Sequence, residues 1–513
     1  MVRSRQRVLL LAATILLFVF SLISLLRHGH PDAALSKNLP DPLSWLPGAE
    51  KPSMERPEDL STEEWEVKNS DYTIVSSIRN SRGYYNKVDA GAIEYRIMNP
   101  TLLELPKHDK IKHDFLVIAR TTHVDTEIKD KKYKLARQVA FFANVELTRN
   151  DRPIIKADKW ARTIVEDVAS PRHHCQRQPD MDKYIGPEDM KLFWTRTGEP
   201  LIIFTQQIDD EIRCQGQFII DARAAVPELQ QLLDVAGIEL PKIRFPEPEG
   251  VRRRPVPGEE NHPRYQREKN WALVQSPFKE DKEELLFMVE PSQLYQYTDD
   301  NGVVRPIIDE EDQHSGVEAP YPSTLEEGKE TWRSELQTCI HDVFMTDAHV
   351  HQSTPMLSLT LCNRGKCKPS EDNTVLVGMV QRRYDYPTWY DRRIVLYSSK
   401  APYKMLSVSK KLSYQGETEA GTYAWTGSMV YYTHHKHFPP PNHGFLDDEI
   451  WLSFGIKDSD GGWIDVRAKE LTNEHYMCEG APRDFRQHMG ANTNSTTGED
   501  SEPVEELKQP REH

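Results

Sequence analysis

Long apolar runs are nearly absent from this 513-residue chain. The exception is Val8 to Leu26, VLLLAATILLFVFSLISLL, 19 residues without a charge or a proline. Nothing else approaches spanning length, and the mean hydropathy is −0.67, so a multispanning protein is excluded. Positive charge is also short. Lys and Arg number 65 against 80 Asp and Glu, a formal net charge of −15. That balance argues against nucleic acid or an anionic membrane surface as partner. Cysteine is sparse: Cys175, Cys214, Cys339, Cys362, Cys367 and Cys478, all after the apolar run. No second paired-Cys or paired-His knuckle lies at zinc-ligand spacing, which leaves disulfides as the better reading. Cys362 and Cys367, in CNRGKC, are placed to close a tight loop. Helical periodicity is rare too, confined to residues 221–237, with Pro227 near the start.

The apolar run fixes an expected topology. At about 1.5 Å per residue it crosses most of a hydrocarbon core roughly 30 Å thick. Arg3, Arg5 and Arg7 precede it and only Arg27 follows closely, which holds the N-terminus in the cytosol. A cleaved signal would carry a shorter apolar region and a small-residue cleavage site, and RHGHPDAAL is a poor match. The chain therefore reads as a single-pass type II Golgi membrane protein. A cytosolic tail (1–7) is followed by a signal anchor (8–26) and a Pro/Glu/Ser-rich stem (27–70). Then come a luminal body (71–491) and a polar tail (492–513). Ser61 and Glu64 in the stem have capping-box spacing, and the tail carries the glycosylation sequon Asn494-Ser495-Thr496.

The body is strand and turn. Short runs rich in Val, Ile, Tyr, Phe and Trp alternate with Gly, Pro, Asn and Asp clusters. They group near residues 112–165, 186–222, 266–300, 353–412 and 425–470. Radial repetition of four-stranded sheets is one way for a long all-β chain to avoid exposed edges. The expected fold is an all-β, five-bladed β-propeller, with a pair of β-sandwiches as the competing arrangement. Residues 245–264 and 309–330 read as long Pro- and charge-rich loops.

Four stretches carry candidate chemistry. In GPEDMKLFW a Gly-Pro turn presents Glu188 and Asp189 just before an apolar strand. Strand alternation sends the two carboxylates to opposite sides. In REKNWALVQSPF, Glu268, Lys269, Asn270 and Trp271 combine acid, base, amide and aromatic ring, the mixture that binds sugar hydroxyls and the flat CH face. HVHQSTPMLSL places His351, Ser353 and Thr354 at a strand start. In HGFLDDEIWLSFGIKDSDGGW, His443, Asp447 and Asp448 precede a strand. For each stretch alone, a polar turn bounding a strand is the simpler reading.

Taken in order across residues 112–478, these stretches resemble the fungal β-mannosyltransferases, glycosyltransferase family 91. The same order holds an F-hydrophobic-IAR strand, GPEDM, EKNW followed by Pro-Phe, an S-T-P strand, APYK-x-LSVSK and LDDEIWLSFGI. The resemblance implies transfer of mannose from GDP-mannose to an oligomannoside or other glycan acceptor of the cell wall or a glycoprotein. The product would be a β-1,2 linkage, formed with inversion. One general base is then needed, together with positive charge on the leaving diphosphate. Asp189 is the expected base, and Glu188 orients it or holds a hydroxyl. Lys269, Arg267 and Arg393 are candidates for the diphosphate, and Trp271 for stacking. Glu268, Asn270, His351, Asp447 and Asp448 complete the expected substrate site. Asp189, Asn270, His351 and Asp447 are expected to converge on one end of a central channel.

The motifs also look like a wider set of propellers acting on β-mannosides, including phosphorylases with an E-D-P-R turn. Met190 and Lys191 stand here where that turn has Pro and Arg, which removes an arginine suited to phosphate. Two D-x-D triplets, Asp180-Met181-Asp182 and Asp458-Ser459-Asp460, are no more than an acid-rich chain yields by chance, so the metal, Mn²⁺ included, is left open. A β-mannoside hydrolase or phosphorylase on the same scaffold, and a noncatalytic glycan-binding propeller, are the alternatives.

Overall fold

A computed structural model describes residues from 72 to 489. Isolated single positions and the segments 166–174, 176–178, 209–213, 254–266, 279–284, 291–292, 298–301, 307–349, 385–388, 418–423, 433–441 and 479–480 are outside the description. The chain divides into two units, Met1–Asn69 and Ser70–His513. The apolar run 8–26, the stem and the sequon at Asn494 fall outside the described residues. Among those described, no helix is long and apolar enough to cross a membrane.

The described unit is all-β, built around five antiparallel sheets that follow one another along the chain. Sheet I contains Ile97–Glu104, Phe115–Thr121, Gln138–Leu147 and Pro153–Ile164. Sheet II runs Glu188–Trp194, Pro200–Gln207, Gln215–Asp221 and Glu249–Arg253. Sheet III runs Ala272–Val274, Leu286–Glu290, Gln293–Tyr297 and Val303–Pro306. In sheet IV, Val350–Gln352 and Leu357–Thr360 share one partner, Thr374–Tyr384, followed by Trp389–Ser398 and Met405–Ser409. Sheet V runs Ala424–Tyr431, Glu449–Ile456 and Asp460–Arg467.

The fourth strand of sheet V comes from the other end of the unit. Asn86–Asp89 pairs antiparallel with Asp460–Arg467 and parallel with Pro153–Ile164, joining sheets V and I. Two features depart from the sequence reading. The first sheet begins before residue 112, at Ile97–Glu104, whose Asn-Pro interruption hides its alternation. The expected loop 245–264 contains the strand Glu249–Arg253, which pairs with Gln215–Asp221 and carries Arg253 to a buried carboxylate partner, Glu268, 2.9 Å away.

The first strands of the meanders run side by side in one direction. Leu192 N–H donates to Thr101 Oγ1 (3.0 Å) and Trp194 Nε1 to the Glu104 carbonyl (2.8 Å), aligning sheets I and II. Leu102 N–H donates to Ser428 Oγ (3.1 Å), aligning sheets I and V, and Met356 N–H to the Leu273 carbonyl (3.1 Å) does the same for IV and III. All N-terminal ends of these inner strands therefore lie at one end of the array. Apolar clusters fill the space between sheets, and Trp271, Trp451 and Trp463 are among the largest fully buried side chains.

The only long helical element among the described residues is Pro227–Ala236, after the short turn Ala222–Ala225. Pro at the first helical position and Gly237 in the left-handed region (φ 72°) bound it, and Leu229, Leu233 and Ala236 pack on sheets I and II. Cys175–Cys214 and Cys362–Cys367 are disulfides, and Cys478 is also disulfide-bonded.

Candidate active site

The acid pair sits on a bulge, not on a regular strand. Glu188 pairs with Thr205 and Lys191 with Ile203, with a register shift between them, and Asp189 takes φ 53°. An extra residue in a strand turns a side chain away from the strict alternation assumed from sequence. The same device recurs at the start of sheet I, where the shift falls between Met98 and Thr101 and Asn99 has φ 48°. Asn270, just before the first strand of sheet III, has φ 63°. Side chains other than glycine rarely adopt this region, and such strain concentrates at functional sites.

The turn leading into the bulge is pinned from three directions. Gly186 N–H donates to Gln207 Oε1 (2.9 Å), Gln207 Nε2 to the Tyr184 carbonyl (2.8 Å) and Gln138 Nε2 to the Pro187 carbonyl (2.9 Å). Gly186 has φ 91°, and a Cβ there would overlap the Ala136 carbonyl oxygen. Residues 267–271 are fixed likewise. Gln217 Nε2 donates to Thr205 Oγ1 (2.6 Å) and to the Glu268 carbonyl (2.9 Å), and Glu268 N–H donates to the Gln215 carbonyl (3.0 Å).

These supports bring Lys269 Nζ to 2.7 Å from Glu188 and 4.0 Å from Asp189. Burial alone would raise the Glu188 pKa. The Lys269 ammonium, aided by Arg120 and His123, outweighs it and holds the carboxyl at about 2. Glu188 is therefore ionised at neutral pH and is no proton donor. Lys191, 2% exposed, donates to the Trp271 carbonyl (3.0 Å), and burial lowers its pKa to about 8 against the opposing pull of Asp189. Arg267 Nε donates to Gln215 Oε1 (2.8 Å). Burial lowers the Arg267 pKa, with Glu188 and Asp189 acting in the opposite direction. Arg120 Nε and His123 Nε2 are buried and make no hydrogen bond. Two carboxylates thus stand among five basic side chains, three of them lysine or arginine anchored on the sheet II–III boundary.

The remaining predicted residues divide. Asn270 and His351 lie at the same end as Asp189, at inner-strand starts, and Asn270 Oδ1 is buried without a partner. Glu268 and Trp271 point into the core. Glu268 pairs with Arg253 and accepts from Trp271 Nε1 (3.2 Å), and the indole, 0% exposed, packs on Phe287. Burying such a ring removes about 150–250 Å² from water, worth roughly 4–6 kcal/mol, so Trp271 offers no face to a sugar. Arg393 is buried in sheet IV, donating to the Ser409 carbonyl (2.8 Å), and is no diphosphate ligand. Asp447 and Asp448 belong to the opposite end. They precede Glu449–Ile456, whose start pairs with the far end of Ala424–Tyr431, and they bind Arg364 in the Cys362–Cys367 loop. Asp189, Asn270 and His351 thus stand at one end of the strand array and Asp447 at the other.

Arg120 and His123 were not singled out from sequence. Their one signal is an arginine closing the apolar strand FLVIAR, a residue type costly to bury without an anionic partner. Among the described residues, no group of three or more His, Cys, Asp or Glu is set to hold a metal ion.

No family model matches the chain, and no curated relative matches it. Solved structures do align. One is a protein of Parabacteroides distasonis described as a candidate glycoside hydrolase, at 11% identity and TM-score 0.38, covering 78% of this chain and 94% of that one. A mannose phosphorylase from Leishmania mexicana, in complex with a phosphate ion, aligns at 9% identity and TM-score 0.34, over 83% and 94%. An α-L-arabinanase from Cellvibrio cellulosa aligns at 8% and TM-score 0.31, over 73% and 96%. Such identities and scores assign no activity to this chain. The glycosyltransferase expectation is corrected at its own residues: Arg393, expected at the diphosphate, and Trp271, expected to stack, are both core residues; none of these three matches is named as a glycosyltransferase.

Proposed function

We propose that the five meanders are the blades of a β-propeller and that the inner-strand starts form the active site of a β-mannoside phosphorylase. The observation that supports it is the cationic setting of the acid pair. A hydrolase needs two carboxylates about 5–10 Å apart across the sugar, one free to give a proton and one to activate water or attack. Glu188 is committed to Lys269, which leaves Asp189 as the available acid of the pair. Arg120, His123, Arg267 and Lys269 supply instead what a phosphate dianion requires. The arginine missing from the E-D-P-R turn is thereby replaced by basic groups from other strands.

In this reaction phosphate oxygen attacks C1 of a β-mannoside while the C1–O glycosidic bond breaks. Asp189 gives its proton to the departing oxygen and recovers one from solvent. Inversion yields α-mannose 1-phosphate and a sugar shortened by one unit. The β-mannoside substrate class rests on the ordered motifs. Purified full chain incubated with β-mannobiose should release mannose 1-phosphate only when phosphate is present. Free mannose formed equally without phosphate would identify a hydrolase, and no product in either buffer would leave a glycan-binding propeller.

The 8–26 run and the disulfides support a membrane-anchored protein whose folded unit lies on the non-cytosolic side.

A further inference from the structure

With Trp271 in the core, the site lacks an aromatic face at the residue sequence reading chose for it. A different one stands at the same end. Trp425, near the start of the first strand of sheet V, is half-buried, with Tyr390 edge-on at 5.0 Å and His351 edge-on at 6.4 Å between ring centroids. Its position is set by two independent ties. Gln381 Nε2 donates to the Thr426 carbonyl (2.8 Å) and Thr426 N–H donates back to Gln381 Oε1 (3.1 Å), while His351 pairs with Gln381 across sheet IV. On the other side Trp425 pairs with Gly455, where a Cβ would overlap the Asn99 side-chain oxygen. Asn99 adjoins Met98, whose sulfur accepts from Arg120, and Arg120 faces Glu188. The aromatic group thus belongs to the same mouth as the acid pair but rises from sheets IV and V, whereas the basic groups rise from I, II and III.

We propose that Trp425, flanked by Tyr390 and His351, is the platform for the leaving-group sugar of the substrate. This rests on the phosphorylase reading. Inversion places nucleophile and leaving group on opposite faces of the reacting ring, so a phosphate held by sheets I to III directs the departing sugar toward sheets IV and V. An indole face with its flanking rings held edge-on presents the flat apolar surface that a pyranose CH face covers. The reacting mannose and its phosphate make no use of it.

Calorimetry on the Asp189→Asn protein separates the two ideas, because binding is read without turnover. That protein should bind β-mannobiose and α-mannose 1-phosphate. Adding Trp425→Ala should weaken β-mannobiose by roughly tenfold and leave mannose 1-phosphate unchanged, and Trp425→Phe should recover most of the loss. A thermal melt within a few degrees of the parent keeps the comparison fair. Equal loss for both ligands, or loss for neither, overturns the platform and spares the phosphorylase reading. If the parent binds neither ligand, the β-mannoside reading falls and takes the platform with it.

Discussion

Glu188 and Asp189 are neighbours in sequence with different fates, and the difference lies in what Lys269 does to each. The ammonium is at 2.7 Å from one and 4.0 Å from the other. Asp189→Asn should lower turnover by roughly 10²–10⁴ while preserving ligand affinity, since it removes the proton and keeps the shape. Glu188→Gln should instead act on stability. Its pKa falls from 4.5 to about 2 on folding, so its contribution is present above pH 4.5 and lost as pH drops toward 2. Chemical denaturation at stepped pH should show wild type losing stability from pH 4.5 downward and Glu188→Gln following a flatter curve. Equal slopes would mean that the ion pair contributes nothing in solution.

At the scale of the element, the bulged strand start is the unit that matters. Its shape depends on Gly186, whose φ of 91° and contact with Ala136 leave no room for a side chain. Gly186→Ala should cost more than about 1 kcal/mol and displace the acid pair, seen as a lowered melting temperature together with lost activity. A variant that melts normally and turns over normally would show that the turn tolerates relaxation. The N-terminal segment is the second such unit. Ser77 Oγ and Arg79 N–H both donate to Asp465, and Arg79 also pairs with Glu449 at 2.8 Å. Burial raises the Asp465 pKa from 3.8 to about 6, so its proton stabilises the fold below pH 3.8 and that contribution disappears as pH rises through 6. Asp465→Asn, which cannot ionise, should therefore gain relative to wild type between pH 4 and 7 in thermal melts.

The whole unit is closed by Asn86–Asp89, a strand more than 370 residues from its partner near Trp463. Removing residues 1–69 should leave the melting transition of the 70–513 unit intact, whereas removing 1–89 should abolish it, since Asp460–Arg467 loses its edge partner and Arg79 and Ser77 leave Asp465 buried alone. Circular dichroism melts of both truncations decide this. A cooperative transition in the shorter protein would show that the closing strand is dispensable.

The sequence alone determined the chain's β character, the five groupings of strands and the helical character of residues 221–237, because each follows from local alternation, turn residues and caps. It also singled out Asp189 and Lys269 from contiguous motifs, and the fold brings these two to 4.0 Å. It could not locate Arg120, His123 or Trp425, nor tell that Trp271 and Arg393 belong to the core. Exposure depends on which neighbours the other sheets supply, and period-2 alternation says only that a residue faces one side or the other. The tertiary structure alone decided that Asp447 stands at the far end, since successive strands in a meander reverse direction and carry adjacent motifs to opposite ends. It also decided the closing strand, whose four residues have no signal until a sheet edge is there to pair with them.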